Sequence, residues 1–182
     1  GADASRIGED LFSVSSLLRT EASLRRVATD ASLEAAAKKS LVDGLLSAKV
    51  DPVALELISD AVGRRWTVAR DLADALETLS EISAVRSAGA ESARLADELF
   101  SFSQTLNTSP ELRDALGDPA RTVADKSALV SGLLTTKALP ATVTLAQQAL
   151  AGTYRTVSSA LATYQQVAAE VHGERVATVH VA

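Results

Sequence analysis

The feature that most constrains the fold of this chain is an internal repeat with a fixed offset of 88 residues. The segment LVDGLLSAKVDP, which runs from Leu41 to Pro52, returns as LVSGLLTTKALP from Leu129 to Pro140. The same register continues on both sides, and roughly twenty of about fifty aligned positions are identical without a gap. We interpret this pattern as the tandem duplication of one helical unit.

The composition narrows the possible functions. Hydrophobic residues make up 47% of the 182-residue chain but aromatic residues only 3%, which favours closely packed helices and leaves little material for base stacking. A net charge of −5 argues against a nucleic-acid partner, because binding to phosphates needs clustered Lys and Arg. The absence of cysteine excludes disulfides, thiolate chemistry and Cys-type zinc sites.

Apolar residues with a 3.6-residue period predict the same series of helices in each copy. Pro52 and Pro140 are expected at the first position of a helix, and Ser109 is expected to cap the helix that begins at Pro110. Asp30 and its twin Asp118 are interpreted as further N-caps. Helices are predicted in the first copy at about residues 5–19, 21–28, 33–47, 52–62 and 68–86, and the last helix of the second copy at about 156–171.

Two local features carry structural expectations. Gly44 and its twin Gly132 lie inside a predicted helix, where glycine costs about 1 kcal/mol relative to alanine, so we expect a close approach between helices there. After Gly173, the β-rich sequence ERVATVHV predicts a strand in residues 174–182. One strand cannot stand alone, so this strand is expected to begin a further domain or to pair with another chain.

No arrangement of residues supports catalysis. The two histidines, His172 and His180, have no evident carboxylate partner, and no phosphate-binding loop or nucleophile motif is present. No stretch of 18 apolar residues is available to span a bilayer. We therefore expect a protein that is not an enzyme, with no metal or cofactor.

The sequence Arg64-Arg65-Trp66 is the one basic and aromatic cluster. It is open to two interpretations. The arginines could grip a carboxylate of a partner, or they could stand at the C-terminus of a helix while Trp66 packs into the core. The structural interpretation is favoured by Tyr154-Arg155, which occupies the equivalent place in the second copy.

The two copies differ in charge after their shared proline. The helix after Pro52 carries Glu56 and Asp60, whereas the helix after Pro140 (ATVTLAQQALAG) carries no charge. An uncharged helix in this position is either fully buried or forms a groove for another helix, and we favour the groove. The expected ligand is an amphipathic helix.

Five further segments follow one another in a specific order and spacing: DLADALETL (71–79), ADELFSFSQTL (96–106), SPELRDALGDP (109–119), KSALVSGLL (126–134) and ALATYQQVAAEVHGERVATVHVA (160–182). In these segments the chain resembles the δ subunit of bacterial F-type ATP synthases, the counterpart of the mitochondrial oligomycin-sensitivity-conferring protein, in its actinobacterial long form. The resemblance covers nearly the whole chain, and the order and spacing of its segments are more specific than any single motif.

This resemblance implies an all-α fold of two tandem bundles, of the six-helix type, which share a long helix and end in one truncated β-strand. Residues 1–66 would be an extra duplicated unit, residues 67–173 the family's N-terminal bundle, and residues 174–182 the start of a C-terminal α/β domain. The family holds the N-terminal helix of a catalytic-head α subunit in a groove between the first and fifth helices of this bundle. The residues expected to form that groove are Leu72, Leu76, Leu79, Leu139, Val143, Ala146 and Leu150.

The resemblance also implies the role of the protein. It would be a non-catalytic stator subunit of the proton-transporting ATP synthase, bound to the α subunit and to a b-type stalk subunit or a fused b segment, at the cytoplasmic face of the bacterial plasma membrane. Two alternatives stay open at this point. The groove positions could be core residues, and the chain could be a helical-repeat adaptor unconnected with ATP synthase.

Overall fold

The computed structural model describes residues 3–181, and side chains for residues 3–174. Within these residues the chain forms α-helices joined by short connections, so the all-α class is confirmed. The helices are α1 (Ala4–Thr20), α2 (Ala22–Thr29), α3 (Ala35–Leu46), α4 (Pro52–Val62), α5 (Ala69–Ser87), α6 (Ser92–Thr108), α7 (Pro110–Gly117), α8 (Val123–Leu134), α9 (Pro140–Ala151) and α10 (Val157–Val181).

The helices reproduce the offset of the sequence repeat. Each of α6 to α10 begins 88 residues after the corresponding helix of α1 to α5, as α9 at Pro140 does relative to α4 at Pro52. Pro52, Pro110 and Pro140 all stand at the first helical position. An N–H at this position has no partner within the helix, so the lack of one in proline costs no hydrogen bond. The Ser109 side chain caps α7 by accepting a hydrogen bond from the Leu112 N–H at 3.3 Å, as predicted.

The chain divides into two compact units, Gly1–Ser83 (unit 1) and Ala84–Ala182 (unit 2). The core of unit 1 is aliphatic, and its fully enclosed side chains include Leu11 and Ile58. The core of unit 2 adds aromatic rings, because Phe102 and Tyr164 are buried beside Leu99 and Leu145. The predicted domain boundary near residue 66 concerns the family's domains and stays a prediction.

Helix α5 contributes to both cores. Leu72, Ala73 and Leu76 belong to the core of unit 1, whereas Ala84 and Val85 belong to the core of unit 2. The helix ends just before Gly89, whose φ of 58° lies in the left-handed region that glycine adopts without strain. A single 3-10 turn, Gly89–Glu91, then leads into α6.

The predicted β-strand at the end of the chain is wrong. Instead of stopping before Gly173, α10 continues as a helix to Val181. No strand occurs in residues 3–181 that could supply the partner a β-strand needs for its backbone groups. A helix satisfies those groups within its own segment, so the β-branched residues of this stretch remain helical.

Two smaller expectations also fail. Gly44 and Gly132 lie on exposed faces, and a Cβ added at either would meet no atom within 4 Å, so neither marks a close helix approach. Asp30 does not cap α3: its side chain closes a turn by accepting from the Ser32 N–H at 2.8 Å. The hydrogen bonds from the Ser32 hydroxyl and N–H lower the pKa of Asp30 below its usual value.

Candidate partner-docking site

Helix α9 carries the predicted groove residues of unit 2, and they differ in burial. Ala146 is fully buried in the core, and Leu139 and Leu150 pack against that core while remaining partly exposed. Val143 is half-buried. A partner can therefore reach Val143 directly, whereas Ala146 supports the helix from beneath.

The other predicted groove residues lie on α5, within unit 1. Leu72 and Leu76 are both 0% exposed in the core of that unit, and Leu79 packs against it. Both leucines thus fit the alternative interpretation, in which these positions belong to a core. The structure brings the three α5 residues together in one unit and the four α9 residues together in the other.

The outward face of α9 is uncharged and half-exposed. It is formed by Val143, Thr144 and Gln147. The Gln147 side-chain amide donates to the Ser131 hydroxyl on α8 at 2.7 Å, which fixes α9 against its neighbour. This face offers an aliphatic side chain among neutral polar groups, a surface on which an amphipathic helix can settle without burying a charge.

The equivalent face of α4 in unit 1 is charged. Glu56, the twin of Thr144, is exposed there. Asp60 is exposed one turn further along α4, although its twin Gln148 is buried, and its carboxylate accepts a hydrogen bond from Lys39 Nζ at 2.5 Å. That hydrogen bond and the positive charge of Lys39 hold the pKa of Asp60 below its usual value. An apolar partner would have to desolvate these groups, so only α9 presents the neutral version of this face.

A carboxylate from α6, which sequence reasoning missed, holds the start of α9. Glu98 accepts hydrogen bonds from the Leu139 N–H at 2.8 Å and from the Thr142 hydroxyl at 2.5 Å, and it pairs with Arg94 at 2.8 Å. Burial alone raises the pKa of Glu98. The bonds from Thr142, Leu139 and Arg94 outweigh burial, so the net pKa lies below its usual value.

The same device occurs in unit 1. Asp10, the twin of Glu98, accepts from the Asp51 N–H at 2.7 Å and lies 4.0 Å from Arg6. An acidic residue at this position in both copies, four residues after an arginine, was the available signal in the sequence. Its negative charge suits the positive end of the helix that follows the shared proline.

The structure supports the structural interpretation of the Trp66 cluster. The Trp66 indole packs against the core of unit 1 and donates its N–H to the Ala61 carbonyl at 2.6 Å. Its twin Tyr154 packs against the core of unit 2 and meets Tyr164 edge to face, with ring centroids 5.8 Å apart. Arg64 and Arg65 remain exposed.

The described residues offer neither a membrane-spanning helix nor a metal-binding cluster. No helix there combines the length and the apolar character that crossing a bilayer requires. No group of three or more His, Asp or Glu side chains there is arranged to hold a metal ion.

Comparison with known proteins finds several similar proteins that share the same name. The chain is 53% identical over 177 residues to the ATP synthase subunit delta of Nocardioides sp., an alignment that covers 97% of this chain and 64% of that relative. It is 44% identical over 151 residues to the subunit delta of Kineococcus radiotolerans, which covers 82% and 55%. It is 35% identical over 184 residues to that of Thermobifida fusca, which covers 100% and 68%.

The chain spans 55 to 68% of the length of these three relatives. A scan against protein-family models gave no match. Because the Thermobifida alignment covers all of this chain and two thirds of its relative, the chain belongs to the ATP synthase delta-subunit family.

Proposed function

We propose that this chain is a non-catalytic part of the peripheral stalk of an F-type ATP synthase. In this role it ties the catalytic head to the stalk, so that rotation of the rotor drives ATP synthesis and does not turn the head. Its place is the cytoplasmic face of the bacterial plasma membrane, in contact with a b-type stalk subunit. Membership of the delta-subunit family is the observation that carries this proposal, and it leaves the unconnected-adaptor alternative without support.

The proposed contact with the head is the uncharged face of α9. The N-terminal helix of the α subunit would lie on this face and cover Val143 with its apolar side. Leu139 and Leu150, both partly exposed, would extend the contact along α9. The α5 positions Leu72, Leu76 and Leu79 stay a prediction, because Leu72 and Leu76 are enclosed in the core of unit 1 and Leu79 packs against it, so that their substitution would disturb that unit as well as any docking.

The test is a calorimetric titration of the chain with a peptide from the N-terminus of the same organism's α subunit. Val143→Asp is expected to weaken binding. Placing a carboxylate where a valine is covered removes about 2 kcal/mol of apolar burial, which corresponds to roughly a thirtyfold increase in Kd. The helical circular dichroism of the variant should match that of the parent, because Val143 is outside the buried core of unit 2.

Val123→Asp is the matched control. Val123 is an exposed valine in the same unit, at the first position of α8, where an aspartate is well tolerated by a helix. Binding should be unchanged in this variant. If the parent chain binds the peptide and Val143→Asp binds it equally well, the site lies elsewhere; if the folded parent does not bind, the proposed contact is wrong.

A further inference from the structure

A cavity of about 640 Å³ in unit 2 shares only Leu150 with the proposed docking contact on α9. Cations from three separate segments line it: Arg113 from α7, Lys126 from α8, and Arg155 from the connection before α10. No carboxylate is among its lining residues. The cavity is therefore lined by positive charge in a chain whose net charge is −5.

These cations are not neutralised by the described part of the protein. Arg113, Lys126 and Arg155 take part in none of the ion pairs there, in contrast to Arg94, which contacts both Glu91 and Glu98. Arg113 donates one hydrogen bond, to the Asn107 carbonyl at 3.3 Å, and it also borders a shallow cleft that contains carboxylates. Lys126 and Arg155 are therefore the better defined charges of the cavity.

The start of α10 adds to the positive potential. Thr156 caps this helix by accepting a hydrogen bond from the Ser159 N–H at 3.1 Å, and residues 156–158 line the cavity. The first N–H groups of an α-helix carry a partial positive charge. The remaining wall is formed by Gly117, Tyr154 and an apolar group of Leu106, Leu116, Ala149 and Leu150.

Unit 1 uses the equivalent residues for structure instead. Lys38, the twin of Lys126, is 4% exposed and donates from Nζ to the Ala28 carbonyl at 3.1 Å. Arg25, the twin of Arg113, donates to the Arg19 carbonyl at 2.8 Å, as Arg113 does to the twin Asn107 carbonyl, and Thr67 stands in place of Arg155. The cationic positions of unit 1 are thus bound internally, whereas Lys126 makes no side-chain hydrogen bond in the described structure.

We propose that this cavity binds an oxyanion, a carboxylate or a phosphate, that is carried on an apolar body. Lys126, Arg155 and the N-terminus of α10 receive the anionic head, and the wall formed by Leu106, Leu116, Ala149 and Leu150 receives the apolar part. The charged side of this site, Lys126 and Arg155, has no part in the proposed docking of a helix on α9; the two sites share only Leu150.

The experiment is an NMR titration of ¹⁵N-labelled chain with phenyl phosphate and, separately, with 3-phenylpropionate. Saturable shifts are expected for the amides of residues 156–158 and of Lys126. The probe that binds more tightly tells whether the natural head group is a phosphate or a carboxylate. Inorganic phosphate and benzyl alcohol, which each lack one half of the ligand, should bind more weakly.

The double variant Lys126→Gln with Arg155→Gln should weaken binding of the better probe about tenfold, since each partly exposed ion pair contributes a few tenths to one kcal/mol. Lys137→Gln, an exposed lysine of the same unit that does not line the cavity, is the matched control and should change nothing. Binding should also weaken when salt is raised from about 20 to 200 mM. The proposal is overturned if neither probe gives saturable shifts, or if the double variant binds like the control.

Discussion

The two units share one order of helices but fill the space between their first and last helices differently. In unit 1, Arg19 on α1 reaches Asp74 at 3.0 Å and Glu77 at 2.6 Å on α5, and the Ser80 hydroxyl donates to the Gly8 carbonyl at 2.8 Å. In unit 2 the positions equivalent to these charged and hydroxyl residues are Asn107, Ala162, Gln165 and Ala168. The pair α1 and α5 is held by a charged network, whereas the pair α6 and α10 is held mainly by apolar packing, with a hydrogen bond between Ser92 and His172 at 3.1 Å.

This difference shows that the repeat preserves the backbone more strictly than the chemistry inside it. A polar network between helices is stable only while each buried group keeps its partner, because an unpaired charge in the interior is costly. Apolar packing has no such requirement but depends on side-chain volume. Unit 2 accordingly buries the large rings of Phe102 and Tyr164, where unit 1 has Val14 and Leu76.

The two units can be followed separately in solution. The single tryptophan, Trp66, lies in unit 1, so its fluorescence during unfolding in guanidinium reports on that unit. Hydrogen exchange of the α9 amides reports on unit 2. The predictions below use these two probes.

The largest effect is expected from Arg19→Ala. This change leaves the Glu77 carboxylate, which is 3% exposed, without its guanidinium partner. We expect the free energy of unfolding of unit 1 to fall by about 2 to 3 kcal/mol, the lower end of the range for a broken buried pair because Arg19 and Asp74 are partly exposed. Asn107→Ala, at the twin position, should change unit 2 by less than about 0.5 kcal/mol.

A triple variant that places the residues of unit 2 at the equivalent positions of unit 1 tests the same comparison. Arg19→Asn, Asp74→Ala and Glu77→Gln together give unit 1 the residues of unit 2 and remove the buried charge along with its partner. This triple variant should recover most of the stability lost in Arg19→Ala. If it is no more stable than the single variant, the network contributes through packing and the contrast between the units is not electrostatic.

A smaller effect is expected at the carboxylate that holds the start of α9. Glu98→Ala removes the acceptor of the Leu139 N–H and the Thr142 hydroxyl, and should destabilise unit 2 by about 1 kcal/mol. Hydrogen exchange in the first turn of α9 should accelerate in this variant. Asp10→Ala, the change at the twin position in unit 1, should leave hydrogen exchange in α9 unchanged.

The pH dependence follows from the lowered pKa of Glu98. A carboxyl whose folded pKa is depressed stabilises the fold above its unfolded pKa of about 4.3, and that contribution is lost as the pH falls through the lower folded value. Unfolding of unit 2 below about pH 4.3 should therefore be less steep in Glu98→Gln than in the parent. Equal steepness would mean that Glu98 is not the group that titrates.

The smallest effect should be the same in both units. Gly44→Ala and Gly132→Ala each place a methyl group in open space on an exposed helix face, so each should stabilise its unit by about 0.5 to 1 kcal/mol. Trp66 fluorescence measures the first change and hydrogen exchange of α9 the second. A loss of stability in either variant would mean that another helix does approach the glycine closely, as the sequence suggested.

The sequence led to a proposed docking helix, but it could not show which of the proposed residues are exposed. The contrast between ATVTLAQQALAG and its charged twin pointed to α9, because charge is visible in a sequence without knowledge of packing. Burial is not visible in this way: Leu76 and Val143 carry similar apolar side chains, yet one is enclosed and the other half-exposed. A helix that is apolar on more than one side gives no indication of which side a partner can reach.

By itself, the sequence determined the repeat, the order of the helices and the prolines that begin them, because these depend on period, local caps and backbone geometry. Only the tertiary structure decided that residues 174–181 remain helical, that Gly44 faces open space, and that Glu98 on α6 holds the start of α9. Each of these depends on what lies near a segment in space. Whether a partner strand, a neighbouring helix or a distant carboxylate is there is fixed by packing between elements, which local pattern does not encode.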